Sequence, residues 1–168
     1  MEGKELFAEF LRIAKRLNDI GIVPTLMGSL GFEQATGIAW NPQDIDIHVP
    51  GDPRGWEAPD EDRIYNFNKI TQVMNGLGYM LVDLHEHEFQ REAVSVEYGT
   101  VDTLPEFAGV ALADLRLQRQ DGVEYLLPSK SQFLAIYRAS SRDSYRNEQN
   151  NNKDFLKIQY LESRAGKA

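Results

Sequence analysis

Cysteine is absent from this chain, which excludes disulfides and thiolate metal sites and suits a reducing compartment such as the cytoplasm. No apolar run is long enough to cross a bilayer, so no membrane association is expected. The opening residues alternate charge with apolar side chains, unlike the unbroken apolar core of a signal peptide. Basic charge is in deficit. The balance of 18 Lys and Arg against 26 Asp and Glu leaves a net charge of −8. That weighs against a protein that grips long nucleic acid by its whole surface, and is compatible with a small cationic substrate. Internal repeats are missing, and only the stretch 147–152 is compositionally biased. What remains is a chain of 168 residues, 42% hydrophobic and 26% charged, enough for one domain with a single sizeable core.

Residues Glu2 to Ile20 place Leu6, Phe10, Ile13 and Leu17 on one stripe and predict an amphipathic helix, with Gly21 at its C-terminal cap. Ile22 to Met27 reads as a short apolar strand despite Pro24. Gly28-Ser29 breaks it, and Leu30 to Ala35 reads as a short helix ended by Gly37. Asp44 to Val49 alternates acidic and aliphatic residues as a half-buried strand does. Pro50 to Pro59 reads as a loop, and Asp60 is expected to cap a helix that turns Ile64, Phe67, Ile70 or Thr71, and Met74 to the core. Strands near Tyr79 to His85 and Ala93 to Tyr98 are expected to pair antiparallel across a polar turn. A second hairpin joins Leu115 to Gln118 with Val123 to Leu127 around Asp121-Gly122. Two helices close the chain, from about residue 129 onward, near Ser129 to Ser140 and Asn152 to Ser163. This order predicts a single α+β (mixed α/β) domain over residues 1–168, a small mixed sheet with helices packed on one face.

The stretch that points to chemistry is Leu26-Met27-Gly28-Ser29, followed after 14 residues by Asp44-Ile45-Asp46-Ile47-His48-Val49. Side chains two apart on a strand share a face, so Asp44 and Asp46 point the same way while Ile45, Ile47 and Val49 point into the core. Two carboxylates so close repel each other, and a bound cation removes that penalty. Oxygen donors with no cysteine and few histidines favour Mg²⁺ or Mn²⁺ over zinc. Gly28 lets backbone approach a ligand closely. The following helix start offers unpaired N–H groups to a phosphate, and Ser29 adds a hydroxyl donor. Either feature alone is common. Together, in this order, they are what phosphoryl or nucleotidyl transfer requires.

An apolar strand, Gly-Ser, a short helix and Asp-h-Asp-h resemble the signature of the DNA polymerase beta-like nucleotidyltransferase superfamily. The end of the chain is similar to that of the small lincosamide and aminoglycoside nucleotidyltransferases, through Tyr125-Leu126-Leu127-Pro128-Ser129, Leu134-Ala135-Ile136-Tyr137-Arg138, Lys153-Asp154 and Leu161. The resemblance implies attack by a hydroxyl of a small acceptor on the α-phosphorus of a nucleoside triphosphate such as ATP, releasing pyrophosphate. It also implies a third carboxylate on a later strand. Glu97, flanked by apolar residues in Val94-Ser95-Val96-Glu97-Tyr98, is the best candidate for this acid and for a general base, with Asp83 and Asp102 as reserves.

Asp44, Asp46 and Glu97 are therefore the expected metal ligands and catalytic residues, and Gly28, Ser29 and Lys153 the expected nucleotide contacts. Arg138 is a further cation that a triphosphate would attract. His48 shares the face of the acid pair, and is either part of the rim or a neutral histidine satisfied by backbone. Asp83, His85 and His87 alternate like a metal set, although such residues near a turn are more often solvated. Trp56 and Phe67 are open to substrate stacking or to packing. The loop Pro50 to Pro59, or a second subunit in a homodimer, is expected to close over the site. Two further readings stand beside the enzyme: a non-catalytic binding or regulatory protein of the same fold, and an enzyme modifying a tRNA or protein.

Overall fold

The computed structural model describes residues 2–141 and 153–165, with the side chains of 2–141 and 156–163. The asparagine-rich stretch 147–152 and the side chain of Lys153 lie outside the described residues. Helix α1 (Gly3–Asp19) buries Leu6, Phe10, Ile13 and Leu17, the stripe read from sequence. Its end is stitched to the sheet by Asn18. The Asn18 amide donates to the carbonyls of Ile22 and Glu124 at 3.0 Å each, and its oxygen accepts the Glu124 N–H at 2.9 Å.

Strand β1 (Thr25–Met27) runs into α2 (Gly28–Thr36), and β2 (Ile45–Val49) follows. Helix α3 (Phe67–Gly76) leads to β3 (Met80–Asp83), β4 (Glu88–Arg91) and β5 (Val94–Thr100). The short α4 (Leu104–Ala108) precedes the hairpin of β6 (Arg116–Gln120) and β7 (Val123–Leu127). Helices α5 (Lys130–Ser141) and α6 (Lys153–Ala165) finish the described chain. The strands form one seven-stranded sheet in the order β3-β4-β5-β2-β1-β7-β6. Its centre is mixed: β2 runs parallel to β5 and antiparallel to β1, and β1 runs parallel to β7. The mixed α/β class expected from sequence is the one found.

Alternation along the central strands sorts the two faces. Leu26, Ile45, Ile47, Val96 and Tyr98 join the main core with α1 and α3. Met27, on the opposite face, packs with Leu104 of α4 and Ile136 of α5. Helices thus cover parts of both faces rather than one. A third cluster joins Phe32 of α2 to Phe133 and Tyr137 of α5 and to Ile158 and Leu161 of α6.

Three local expectations change. The strand before Gly28 is only three residues long, because Pro24 contributes a carbonyl to Leu126 (2.8 Å) but has no N–H for a ladder. Asp60 does not cap α3, which starts later at Phe67 with Asn66 at its N-cap; the Asp60 carboxylate instead binds Arg63 and His85. Finally, β3 pairs with β4 and not with β5, since Glu88–Arg91 inserts a strand between them. Among the described residues no helix is long and apolar enough to cross a membrane.

Candidate active site

Ile45, Ile47 and Val49 are fully buried, and this anchors β2 so that Asp46 stands on the opposite, partly open face. Asp44 lies just before the strand and is also half-buried. The β1–β2 register sets Met27 opposite Asp46, which brings the acid to the turn into α2. Gly28 there has φ +66°, and a Cβ added to it would lie 2.2 Å from Asp46 Oδ2. Any side chain at position 28 would displace the carboxylate. On the other side the parallel register sets Glu97 beside Asp46. Burial, then the charges of Asp46 and Asp44, and finally those of Glu86 and Glu88 push the Glu97 carboxyl up to about 8.

A cation reaches this place from far along the sequence. Lys157 of α6 is buried, and its Nζ donates to Ser29 Oγ at 2.8 Å across 128 residues. Its ammonium sits 4.7 Å from the Tyr137 ring centre and 5.9 Å from that of Phe32. Positive charge thus stands at the start of α2, next to the acid pair on β2.

No family model matches the sequence. Over 160 residues the chain is 36% identical to the Bacillus subtilis (strain 168) protein named "Uncharacterized protein YnaI", covering 94% of this chain and 96% of the relative. The chain belongs to the YnaI family. Its fold is also that of a solved structure, an antigenic nucleotidyltransferase-like protein from Paracoccidioides brasiliensis, with a TM-score of 0.60 at 18% identity over 96% of this chain and 77% of that one. This YnaI-family chain therefore has a nucleotidyltransferase-like fold.

The donor set at the acid cluster fits a hard divalent cation. Among the described residues no three Asp, Glu, His or Cys side chains close into a cage. Mg²⁺ does not need one, because it is held by one or two carboxylates and completed by water and phosphate oxygens. The raised Glu97 carboxyl bears on this: burial raises it first, and the charges of Asp46 and Asp44 add a repulsion that a bound cation would relieve.

Other candidates of the YnaI-family chain have different work. His85 and His87 do not form a metal set with Asp83. Arg63, buried, donates to the His85 carbonyl (2.7 Å), to Gly55 O (3.2 Å) and to Asp60, with His87 Nδ1 at 3.2 Å. This network ties the loop after β2 to the β3–β4 turn. Asp83 accepts the Glu86 N–H of that turn (3.2 Å), and Asp102 accepts the Gly51 N–H (2.8 Å). Neither joins the acid pair. Trp56 is 62% exposed, its ring on the Arg63 guanidinium at 4.5 Å and beside the His85 ring at 5.0 Å. Phe67 packs on His87 and Phe89. Arg138 pairs with Glu162 (3.6 Å).

His48 is half-buried on the face of Asp46 and is not satisfied by backbone. Its ring lies over Gly99, where an added Cβ would come within 2.7 Å of Nε2, and burial pushes its pKa down to about 4. Its Nδ1 and the neighbouring Thr25 Oγ1 are buried and find no hydrogen-bond partner among the described residues.

Lys157 is the residue that reading the sequence missed. Lys153 and Lys157 are four apart and share a helix face, so spacing alone does not choose between them. The signal was Ile158 and Leu161, one and four residues after Lys157, whose apolar side chains mark the buried side of this helix.

Proposed function

We propose that this protein is a metal-dependent nucleotidyltransferase that moves a nucleoside monophosphate from a nucleoside triphosphate, such as ATP, to a hydroxyl of a small acceptor in the cytoplasm. The register that sets Glu97 beside Asp46, with Gly28 pressed against the same carboxylate, carries the reading. Asp44 and Asp46 would hold Mg²⁺ or Mn²⁺, which when bound offsets triphosphate charge and polarises the α-phosphorus. The α2 N-terminus receives the phosphates through backbone N–H groups, supported by Ser29 and by the Lys157 ammonium beside it.

The acceptor oxygen attacks the α-phosphorus, the bond to the pyrophosphate oxygen breaks, and pyrophosphate leaves. Glu97, set beside Asp46 by the parallel register, takes the hydroxyl proton as the general base. The acidic chain supports a small acceptor rather than a nucleic acid.

Thermal unfolding with each nucleoside triphosphate, with and without Mg²⁺, tests the proposal, because a ligand of the native state raises the melting temperature by mass action. A Mg²⁺-dependent rise is expected, together with pyrophosphate release when acceptors are added. Asp46→Asn should fold with a melting temperature near that of the wild type and lose both responses. A folded Asp46→Asn protein that still binds nucleotide with Mg²⁺ would remove the metal assignment.

A further inference from the structure

Strand β6 carries its hydrophobic pattern inside out. Residues directly opposite on an antiparallel pair share a face, and Arg116 and Gln118 stand opposite Leu127 and Tyr125 of β7. Tyr125 and Leu127 belong to the main core that α1 packs. The core-side positions of this edge strand are therefore polar, whereas Leu117, on the other face, is 44% exposed. Polar side chains turned to the core side of a strand mark a special use. Beside them lies a cavity of about 450 Å³, within the range that holds a small molecule.

Three elements wall this cavity. Arg116 and Gln118 come from β6, Gln34 from the C-terminal half of α2, and Lys130 from the first turn of α5. No Asp or Glu lines it, although acids outnumber bases by 26 to 18 in the chain. Every other arginine whose side chain is described pairs with a carboxylate, Arg119 of the same strand with Glu124 at 3.0 Å among them. Arg116 and Lys130 pair with none among the described residues, and the half-buried amides of Gln34 and Gln118 have no hydrogen-bond partner there. The α5 N-terminus is already capped: Ser129 Oγ accepts the Gln132 N–H (3.3 Å), and Gln132 Oε1 accepts the Ser129 N–H (2.8 Å). An inward charge also protects a sheet edge from pairing. Edge protection does not gather Lys130 of α5 and the Gln34 amide of α2 around the same hollow.

We propose that this cavity binds the phosphate monoester of a small hydroxylated molecule, at a site separate from the acid cluster. Arg116 offers a planar fork of N–H donors and Lys130 a point charge, and two cations match a phosphate dianion better than a single carboxylate. The Gln34 and Gln118 amides, which both donate and accept, suit hydroxyls on the body of the ligand. Gln34 lies about 7.5 Å along α2 from Ser29, and the cavity needs neither Asp46 nor a metal ion.

Calorimetric titration of the full chain with ribose 5-phosphate, in chelator so that the acid cluster holds no metal, tests this. Saturable binding is expected, weakened about tenfold or more in Arg116→Gln and in Lys130→Gln, the worth of a charge-assisted hydrogen bond. Both side chains are exposed, so both variants should melt as the wild type does. Gluconate, with similar hydroxyls and one charge, should bind about tenfold more weakly than ribose 5-phosphate. Asp46→Asn and Lys157→Met should bind ribose 5-phosphate as the wild type does, whatever becomes of their response to nucleotide. A wild type that shows no binding at millimolar ribose 5-phosphate overturns the proposal, as does undiminished binding by Arg116→Gln. Loss of binding in Asp46→Asn or Lys157→Met would put the ligand at the start of α2 and overturn it too. Equal affinity for gluconate would overturn the phosphate assignment.

Discussion

Glu97 ionises from a partly buried place and against four other carboxylates, and that has a consequence at the scale of one residue. Its folded pKa is raised to about 8, above the ordinary glutamate value, so the native state holds a proton that the unfolded chain gives up. Its favourable contribution is whole below the ordinary glutamate range and is lost as pH rises through about 8. Metal-free wild-type protein should therefore lose stability across that window relative to Glu97→Gln, which carries no titrating group there. The gap at the alkaline end is expected to be about 1–2 kcal/mol, after allowing for the solvent that still reaches the carboxylate. Denaturant titrations of both proteins with chelator at several pH values measure it. Parallel stability curves for the two proteins would show that Glu97 is not the strained acid. Mg²⁺ should narrow the gap in part, since a cation offsets the repulsion that adds to burial in raising this group.

At the scale of elements, the turn from β1 into α2 joins conformation and chemistry. Gly28 needs a left-handed φ, and its missing side chain is the space that the Asp46 carboxylate occupies. Gly28→Ala is expected to cost about 1 kcal/mol of stability from backbone strain alone. It should cost more in nucleotide binding, because the methyl group would push Asp46 away from its position. Melting temperature and nucleotide-induced stabilisation measured on the same protein separate the two effects. Equal nucleotide stabilisation in wild type and Gly28→Ala would mean that Asp46 need not lie where the structure places it.

The same scale shows how far the sequence could be read. The strand carrying the acids was legible because three aliphatic residues alternate with polar ones, and all three are buried. The β6–β7 hairpin was legible because Asp121-Gly122 accepts two positive φ angles in succession. Strand β4 was not, since Glu88-Phe89-Gln90-Arg91 has one apolar side chain, too few for a period, and pairing with its neighbours makes it a strand. Asp60 resembled a helix cap because the residue type is right. Its true partners, Arg63 and His85, are a tertiary arrangement that no local pattern encodes. Glu97 fell between these cases: its apolar flanks marked it as unusual, and only the parallel register sets it beside Asp46.

For the whole molecule, the site is closed by an element from the far end of the chain. Helix α6 buries Ile158 and Leu161 against Phe32 and Phe133, and the same turn of helix delivers Lys157 to Ser29. Packing and the proposed phosphate contact are therefore carried by one helix. A chain ending at Ser141 should lose about 3–5 kcal/mol from the apolar burial of Ile158 and Leu161, and its response to nucleotide with it. That result alone would not separate a missing cation from a loosened α2. Lys157→Met separates them, because methionine can fill the apolar space beside Tyr137 without carrying charge. Its melting temperature should stay near that of the wild type while nucleotide affinity falls by about 1.5–3 kcal/mol, the worth of a charge-assisted contact to phosphate. Lys157→Arg should recover part of the loss, since it restores the charge in a different shape. If Lys157→Met binds nucleotide as the wild type does, the buried ammonium serves only to dock α6 on α2, and the phosphates must be held by the α2 N-terminus and the cation on Asp44 and Asp46.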